Sequence, residues 1–286
     1  MVAVGHLDSV TAVTPRQRAL LEEWLPGAEV VADLSWGLAG TTVLHVRRGE
    51  ESYVVKAGGD SDHHIARELR AHREWLRPWT EIDRAPVLVH ADDEAKLLVT
   101  RFLPGELVEG HPSEGEPWAY REAGHLLAVF HAQLAVEDAT YEARANEKTL
   151  AWLSKPHRID AHTEARLRDG VTSWPTPPAT LVPTHGDWQP RNWLVHEGVV
   201  SVIDFGRADL RPAWTDFSRL AARQFLADRA LEEAFLEGYG DDPRDPDAWR
   251  RERIREAVAT AVWAHQVGDE AFEEQGHRMI ADALTD

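Results

Sequence analysis

The sequence predicts an α+β protein of two lobes, with an antiparallel sheet at the N-terminal end and a mainly helical C-terminal part. Three observations carry this. Five short apolar or β-branched runs separated by Gly- or Asp-containing turns fill the first hundred or so residues. The stretch "LPGE" then breaks the pattern. Beyond it the apolar spacing becomes that of long helices. A chain of 286 residues is long enough for two lobes. Residues 102–106 are read as the hinge between a lobe of residues 1–101 and a lobe of residues 107–286.

Each element has its own signal. "TPRQRALLEEWL" offers Thr14 as N-cap, Pro15 at the first helical position and Leu20, Leu21, Trp24 and Leu25 on one face. The runs "EVVADLSWG", "TTVLHVRRG" and "ESYVVKAGG" read as an antiparallel meander, with Lys56 near the end of the third strand. From Ser61 to about Pro78, Ile65, Leu69, His72 and Leu76 recur at helical spacing, and Glu68 lies in the first half of that helix. "APVLVHA" and "AKLLVTRF" are two more strands around the turn "DDE". In the second lobe, "PWAYREAGHLLAVFHAQLA" is a long helix, and a further helical segment runs from Glu147 to Gly170. The Pro-rich "SWPTPPATLVPT" reads as a loop that leads into a short strand. "NWLVHEGVVSVIDFG" reads as a hairpin turning at Glu197-Gly198, and the chain from Pro212 onward is helical. There is no internal repeat.

Composition narrows the function. Lys plus Arg number 31 against 49 Asp plus Glu, a formal charge of −18. That argues against nucleic acid or an anionic membrane as partner and favours a cationic small molecule. The absence of cysteine excludes disulfides and thiolate-metal sites. No leader-like N-terminus and no run approaching roughly 18 apolar residues is present, so a soluble, cytoplasmic protein is expected, monomeric or homodimeric. The 15 histidines form no H-E-x-x-H motif, and His125 and His131, six apart, do not share a helical face.

The residues that carry chemistry are concentrated in "THGDWQPRNWLV" and "SVIDFGRA". Phosphoryl transfer needs a positioned hydroxyl, a lysine on the phosphates and ligands for the metal that gathers the triphosphate. All of these are present in order. Asp187, on a loop, can accept a hydroxyl proton, and Asn192 and Asp204 offer oxygens suited to Mg²⁺. Lys56 can reach the α- and β-phosphates, and Glu68 can pair with it. "WGLAGTT", with Gly37 and Gly40 between the first two strands of the meander, is a candidate phosphate loop.

"HGDWQPRN" followed by "IDFG" resembles the H-G-D-x-x-x-x-N and I-D-F/W-G motifs of the aminoglycoside phosphotransferase family, and the resemblance spans nearly the whole chain. It implies a bilobal protein-kinase-like fold and use of ATP, with GTP as the alternative, together with Mg²⁺. It also implies Asp187 as catalytic base, Asn192 and Asp204 as magnesium ligands, and Lys56 with Glu68 as the phosphate-positioning pair. Residues around 100 to 106, including Thr100 and Phe102, would hold adenine, and Asp216 matches the family's structural aspartate. Family members often carry Leu-His and Gly where this chain has Trp188, Gln189 and Arg191, so the middle of its loop is bulkier and more polar.

The acceptor is the least explicit part. Trp188, Gln189 and Trp214 flank the catalytic segments and are candidate substrate contacts, although tryptophans are mostly packing residues. Glu233, Glu237, Asp269, Glu270 and Glu274 are candidates for an acidic acceptor pocket, with a solvated helix face as the competing reading. The expected acceptor is a cationic antibiotic, an aminoglycoside or a basic cyclic peptide of the viomycin and capreomycin type, phosphorylated to give resistance. A metabolic kinase for an amino sugar, a choline-like amine or homoserine is the alternative, and a catalytically silent nucleotide-binding protein is the rival from another class. A protein kinase is disfavoured because no A-P-E-like segment follows "DFG".

Overall fold

The structure is a computed structural model that describes residues 5–6, 13–35 and 40–285. Its first part is a six-stranded antiparallel sheet in the order β1-β2-β3-β4-β6-β5. The strands are β1 (Gly5–His6), β2 (Glu29–Asp33), β3 (Thr41–Arg48), β4 (Glu51–Gly58), β5 (Leu88–Asp92) and β6 (Leu97–Arg101). Alternation along β4 sends Tyr53, Val55 and Ala57 to one face, where they pack with Leu21 of α1 (Pro15–Trp24) and with Leu25, its C-cap. Thr14 and Gln17 cap α1 reciprocally. Gln17 also donates to the carbonyls of Gly58 (3.0 Å) and Ala95 (2.7 Å), which ties the helix to the sheet.

The opposite face of the sheet meets α2 (His64–Glu74), through Ile65 and Leu69 against Leu98. Because Lys56 sits across from Leu98 in the ladder, it projects toward this same helix. The helix expected over Ser61 to Pro78 is shorter than its periodicity implied. It begins where Asp62 accepts from the amides of His64 and Ile65. It stops at Trp75, and a separate turn, α3 (Arg77–Thr80), carries Pro78 in its opening positions.

The remainder is helical around two three-stranded sheets, β11-β10-β7 and β12-β9-β8. These comprise β7 (Glu106–Leu107), β8 (Val136–Asp138), β9 (Ala179–Thr184), β10 (Trp193–His196), β11 (Val199–Val202) and β12 (Asp209–Arg211). Glu197 and Gly198 form the expected two-residue hairpin turn, both at positive φ (50° and 76°). The long helix α4 (Pro117–His131) ends four residues before its predicted end and packs on α9 (Arg229–Tyr239). A Cβ at Gly238 would fall 1.9 Å from the Arg121 carbonyl, so only glycine allows this approach.

The segment predicted from Glu147 to Gly170 is two helices, α5 (Tyr141–Leu153) and α6 (Ala161–Ser173), parted by Pro156 and restarted by the N-cap Asp160. The Pro-rich stretch is loop only to Pro178, after which β9 begins. The C-terminal part contains α7 (Ser218–Ala222), α8 (Gln224–Ala227), α10 (Pro246–Val267) and α11 (Glu270–Thr285), the last two packed along each other. Among the described residues no helix is long and apolar enough to cross a membrane.

Candidate active site

Four segments distant in sequence build the site. From β4, Lys56 Nζ lies 2.8 and 2.9 Å from the two carboxylate oxygens of Glu68 on α2, and 3.1 Å from Asp204 Oδ1. Burial opposes the Lys56 charge, but Asp204 and Glu68 more than offset it and hold the ammonium above its usual range. Asp204 follows β11 in a left-handed conformation, φ 65°, which is uncommon for a non-glycine residue. Its carboxyl is held below the usual carboxylate range by the neighbouring Lys56 ammonium. Phe205 turns inward against Trp79, His185 and His72, which anchors the strained residue.

The loop after β9 is held from below by Asp216. Its buried carboxylate accepts from the amides of His185 (2.8 Å) and Gly186 (2.7 Å) and meets His131 Nε2 at 3.1 Å. Gly186 has φ 78°, and a Cβ there would lie 2.3 Å from the Arg207 carbonyl. His185 donates through Nε2 to the Ile203 carbonyl (3.0 Å) and accepts at Nδ1 from the Asp187 amide (3.3 Å). Both ring nitrogens are thus spent on joining the loop to the segment before Asp204.

Asp187, 4% exposed, is surrounded by donors. Oδ1 receives Gln189 Nε2 (2.6 Å) and Arg219 Nε (2.7 Å); Oδ2 receives Arg191 (2.6 Å) and Asn192 Nδ2 (3.0 Å). Burial alone would raise this carboxyl, but Arg219, Arg191 and Arg207 hold it well below the usual carboxylate range. Asn192 also donates to the Asp187 carbonyl at 2.7 Å, which commits its amide nitrogen and leaves its side-chain oxygen for another ligand. That oxygen and the exposed Asp204 carboxylate form a hard-oxygen pair. It fits Mg²⁺, a cation that keeps waters and phosphate oxygens, better than a metal needing an all-protein cage. No group of three or more His, Cys, Asp or Glu side chains suited to a metal occurs among the described residues.

The sequence-predicted residues divide clearly. Lys56, Glu68, Asp187, Asn192 and Asp204 converge. Gly40 directly precedes β3, and its carbonyl accepts from the Gly59 amide at 3.0 Å. Gly37 lies outside the described residues. Thr100 is buried within β6, and the Phe102 amide donates to Ser52 (3.0 Å) while its ring stacks on His45, so that N–H is not open to a purine.

Trp188 does not face a substrate. It is fully buried among Trp79, Trp193 and His185, because the loop turns its apolar side chain into the core. Gln189 is likewise turned inward, onto Asp187. Trp214 is half-buried.

The acidic candidates do not converge either. Glu233 pairs with Arg229 (3.0 Å), and Glu237 pairs with Arg121 (2.7 Å). Asp269 accepts from the Phe272 amide at the start of α11, and Glu270 and Glu274 are exposed, Glu274 being 3.8 Å from Arg278. None of the five lines the cleft described next; helix phase turns them outward to solvent or to neighbouring arginines.

Sequence reasoning missed that cleft. About 580 Å³ in volume, it lies between the α7–α8 segment and the helices α10 and α11. It approaches the Asp187 loop through Glu256, 3.6 Å from Arg219, which itself contacts Asp187 at 2.7 Å. Arg219, Arg207 and Glu256 were legible only as helix- or turn-forming residues; the one signal for Arg207 was its place directly after "DFG".

A family model described as "APH: Phosphotransferase enzyme family" matches residues 31–255. An aminoglycoside 3'-phosphotransferase from Streptomyces fradiae is 32% identical over 170 residues. That alignment covers 52% of this chain, and the chain spans only 63% of the relative's length. Among solved structures, choline kinase LicA from Streptococcus pneumoniae superposes with a TM-score of 0.67 at 14% identity, covering 94% of this chain and 96% of that one. A thermostable aminoglycoside phosphotransferase APH(4)-Ia variant, in ternary complex with AMP-PNP and hygromycin B, gives 0.71 at 13% identity, covering 93% and 97%. The macrolide 2'-phosphotransferase MphH from Brachybacterium faecium gives 0.61 at 18% identity, covering 92% and 97%. These likenesses show the kinase-like fold, and with the family match over residues 31–255 the chain belongs to the APH phosphotransferase enzyme family.

Proposed function

We propose that the protein is an O-phosphotransferase that moves the γ-phosphoryl group of ATP, with GTP as the alternative donor, to a hydroxyl of a cationic small molecule, with Mg²⁺ as cofactor. The observation that carries this reading is the meeting of Lys56, Glu68 and Asp204 within 3.1 Å beside a loop that aims Asp187 and Asn192 together. Bound Mg²⁺ would gather the triphosphate and neutralise its charge, and Asn192 and Asp204 are the residues that would hold it. Lys56, kept charged and fixed by Glu68, would bind phosphate oxygens. Asp187, kept ionised by its arginines, would orient the acceptor hydroxyl and take its proton.

Residues 102–106 would join a nucleotide lobe, 1–101, to an acceptor lobe, 107–286. The net charge of −18 and the S. fradiae relative, named for its action on aminoglycosides, support a cationic antibiotic as acceptor and a role in resistance. In the test, Asp187→Asn is expected to lower turnover by about 10²- to 10⁴-fold while nucleotide affinity stays within a few-fold. Near-normal turnover in that variant would remove the loop from catalysis.

A further inference from the structure

A base can take a proton only where it has a lone pair to offer. An ionised carboxylate has about four such places, two on each oxygen. In Asp187 all of them are taken. Gln189 Nε2 and Arg219 Nε fill Oδ1, and Arg191 Nη2 and Asn192 Nδ2 fill Oδ2, at 2.6 to 3.0 Å. Because the residue is also buried, no hydroxyl reaches the carboxylate while these four bonds stand. We propose that Arg191 is a positioning residue that latches Asp187 shut against water, and that it is the donor an acceptor hydroxyl displaces to reach the base. The proposal deepens the phosphotransferase reading and rests on it.

Geometry singles out Arg191 among the four donors. Asn192 is buried and held twice more, by its amide nitrogen on the Asp187 carbonyl (2.7 Å) and by its backbone N–H on the Gln189 carbonyl (2.9 Å). Gln189, equally buried, is tied to the same turn by that second bond. Arg219 touches Asp187 through Nε, the inner nitrogen of its guanidinium, while its Nη2 lies 3.6 Å from Glu256. To leave, the whole side chain has to move out from between two carboxylates. Arg191 touches Asp187 through a terminal nitrogen, and its side chain is more exposed, 27% against 20% for Arg219. A rotation near the end of that side chain frees Oδ2, and such rotations are fast where solvent is near. The loop keeps its anchors on Asp216 and on the Ile203 carbonyl when this happens. Arg219 and Arg207 remain to keep the carboxyl ionised.

The consequence is a choice between acceptors. In hydrolysis a water oxygen bonds to the γ-phosphorus, and the bond from that phosphorus to the bridging oxygen breaks with its electron pair leaving on ADP. A water proton passes to a base, which later releases it to solvent. Transfer to an alcohol forms and breaks the same bonds with the alcohol oxygen in place of water, so a freely accessible base would serve both. A latch separates them. An acceptor held by many contacts can offset the loss of a charge-assisted hydrogen bond, whereas a single water cannot.

The test needs no acceptor. The full chain is given ATP and Mg²⁺ at pH 8, and phosphate release is measured for wild type, Arg191→Ala, Arg191→Met, Arg219→Ala and the double variant Asp187→Asn with Arg191→Ala. Methionine keeps much of the length of the side chain and supplies no donor. Calorimetry gives nucleotide affinity in each protein. Both single Arg191 variants are expected to release phosphate at least about tenfold faster than wild type, a part of what a free general base contributes, with nucleotide affinity within a few-fold. The gain should vanish in the double variant and should fall off in acid as Asp187 is protonated, which a merely structural role would not produce. Release no faster than wild type in both Arg191 variants while ATP binds, a gain that survives in the double variant, or a gain in Arg219→Ala alone would each overturn the proposal and leave the phosphotransferase reading intact. Failure of the wild type to bind ATP with Mg²⁺ would defeat that reading and the proposal with it.

Discussion

Replacing Arg191 with alanine should raise the pH at which the Asp187 carboxyl ionises, and the size of the rise follows from the geometry. The Arg191 guanidinium donates to Asp187 Oδ2 at 2.6 Å, which puts the charge centres roughly 4 Å apart and makes their attraction about 4 kcal/mol at an effective dielectric near 20. Two features reduce the net effect. Arg191 is 27% exposed, so water screens it, and Asn192 and Arg219 stay on the carboxylate after the change. A net loss of about 1–2 kcal/mol remains, close to one pH unit. The sign is fixed: Asp187 is depressed in the folded protein by its arginines, so removing one moves it upward and ionisation is lost at a higher pH as the solution is acidified. Titration of ¹³C-labelled aspartate carboxyls by NMR reads this without an acceptor, and the acid limb of kcat should move with it. Arg219→Ala, which removes a less exposed partner, should shift it further. An Asp187 midpoint that does not move in either variant would refute the electrostatic account of the loop.

Asp204→Ala should abolish the Mg²⁺ dependence of nucleotide binding, because only the Asn192 oxygen is left for the cation; calorimetry with and without Mg²⁺ checks it, and equal affinities in wild type would contradict the assignment. Asp216→Ala should destabilise the protein by about 3 kcal/mol or more in urea unfolding, since the His185 and Gly186 amides and His131 lose their shared acceptor. Glu252, in a buried charge group with Arg255 and Glu142, is pushed up to about 7 by burial, against the pull of Arg255. A raised carboxyl contributes stability that is fully present below its unfolded value near 4.5 and is lost as pH rises toward 7. Glu252→Gln should therefore be more stable than wild type at pH 8, by up to about 3 kcal/mol, with the difference shrinking toward pH 4.

What the sequence determined by itself were features set by local chemistry. Thr14 and Pro15 start a helix because a side-chain oxygen and a fixed φ serve the first turn wherever it stands. Glu197-Gly198 turns a hairpin because Gly198 takes positive φ without a Cβ penalty between two β-branched runs. Lys56, Glu68, Asp187, Asn192 and Asp204, which the fold brings together, were legible because "HGDWQPRN" followed by "IDFG", behind a strand lysine and a helix glutamate, is a pattern visible in one dimension.

The tertiary structure decided everything that depends on which way a side chain faces across distant segments. Trp188 and Trp214 look alike beside their motifs, yet the turn at Gly186 buries the first completely and leaves the second half open. Glu270 and Glu274 are acids near Glu273, which alone turns inward to Arg158 (2.8 Å). Arg219 reaches Asp187 from 32 positions further along the chain, and Glu256 reaches Arg219 from another 37. No periodicity records such meetings, because they are set by how α7 and α10 pack in three dimensions. The −18 charge pointed to a cation, but net charge sums over the whole surface. The cleft between the α7–α8 segment and helices α10 and α11 has more guanidiniums than carboxylates in its lining, so the local balance differs from the total.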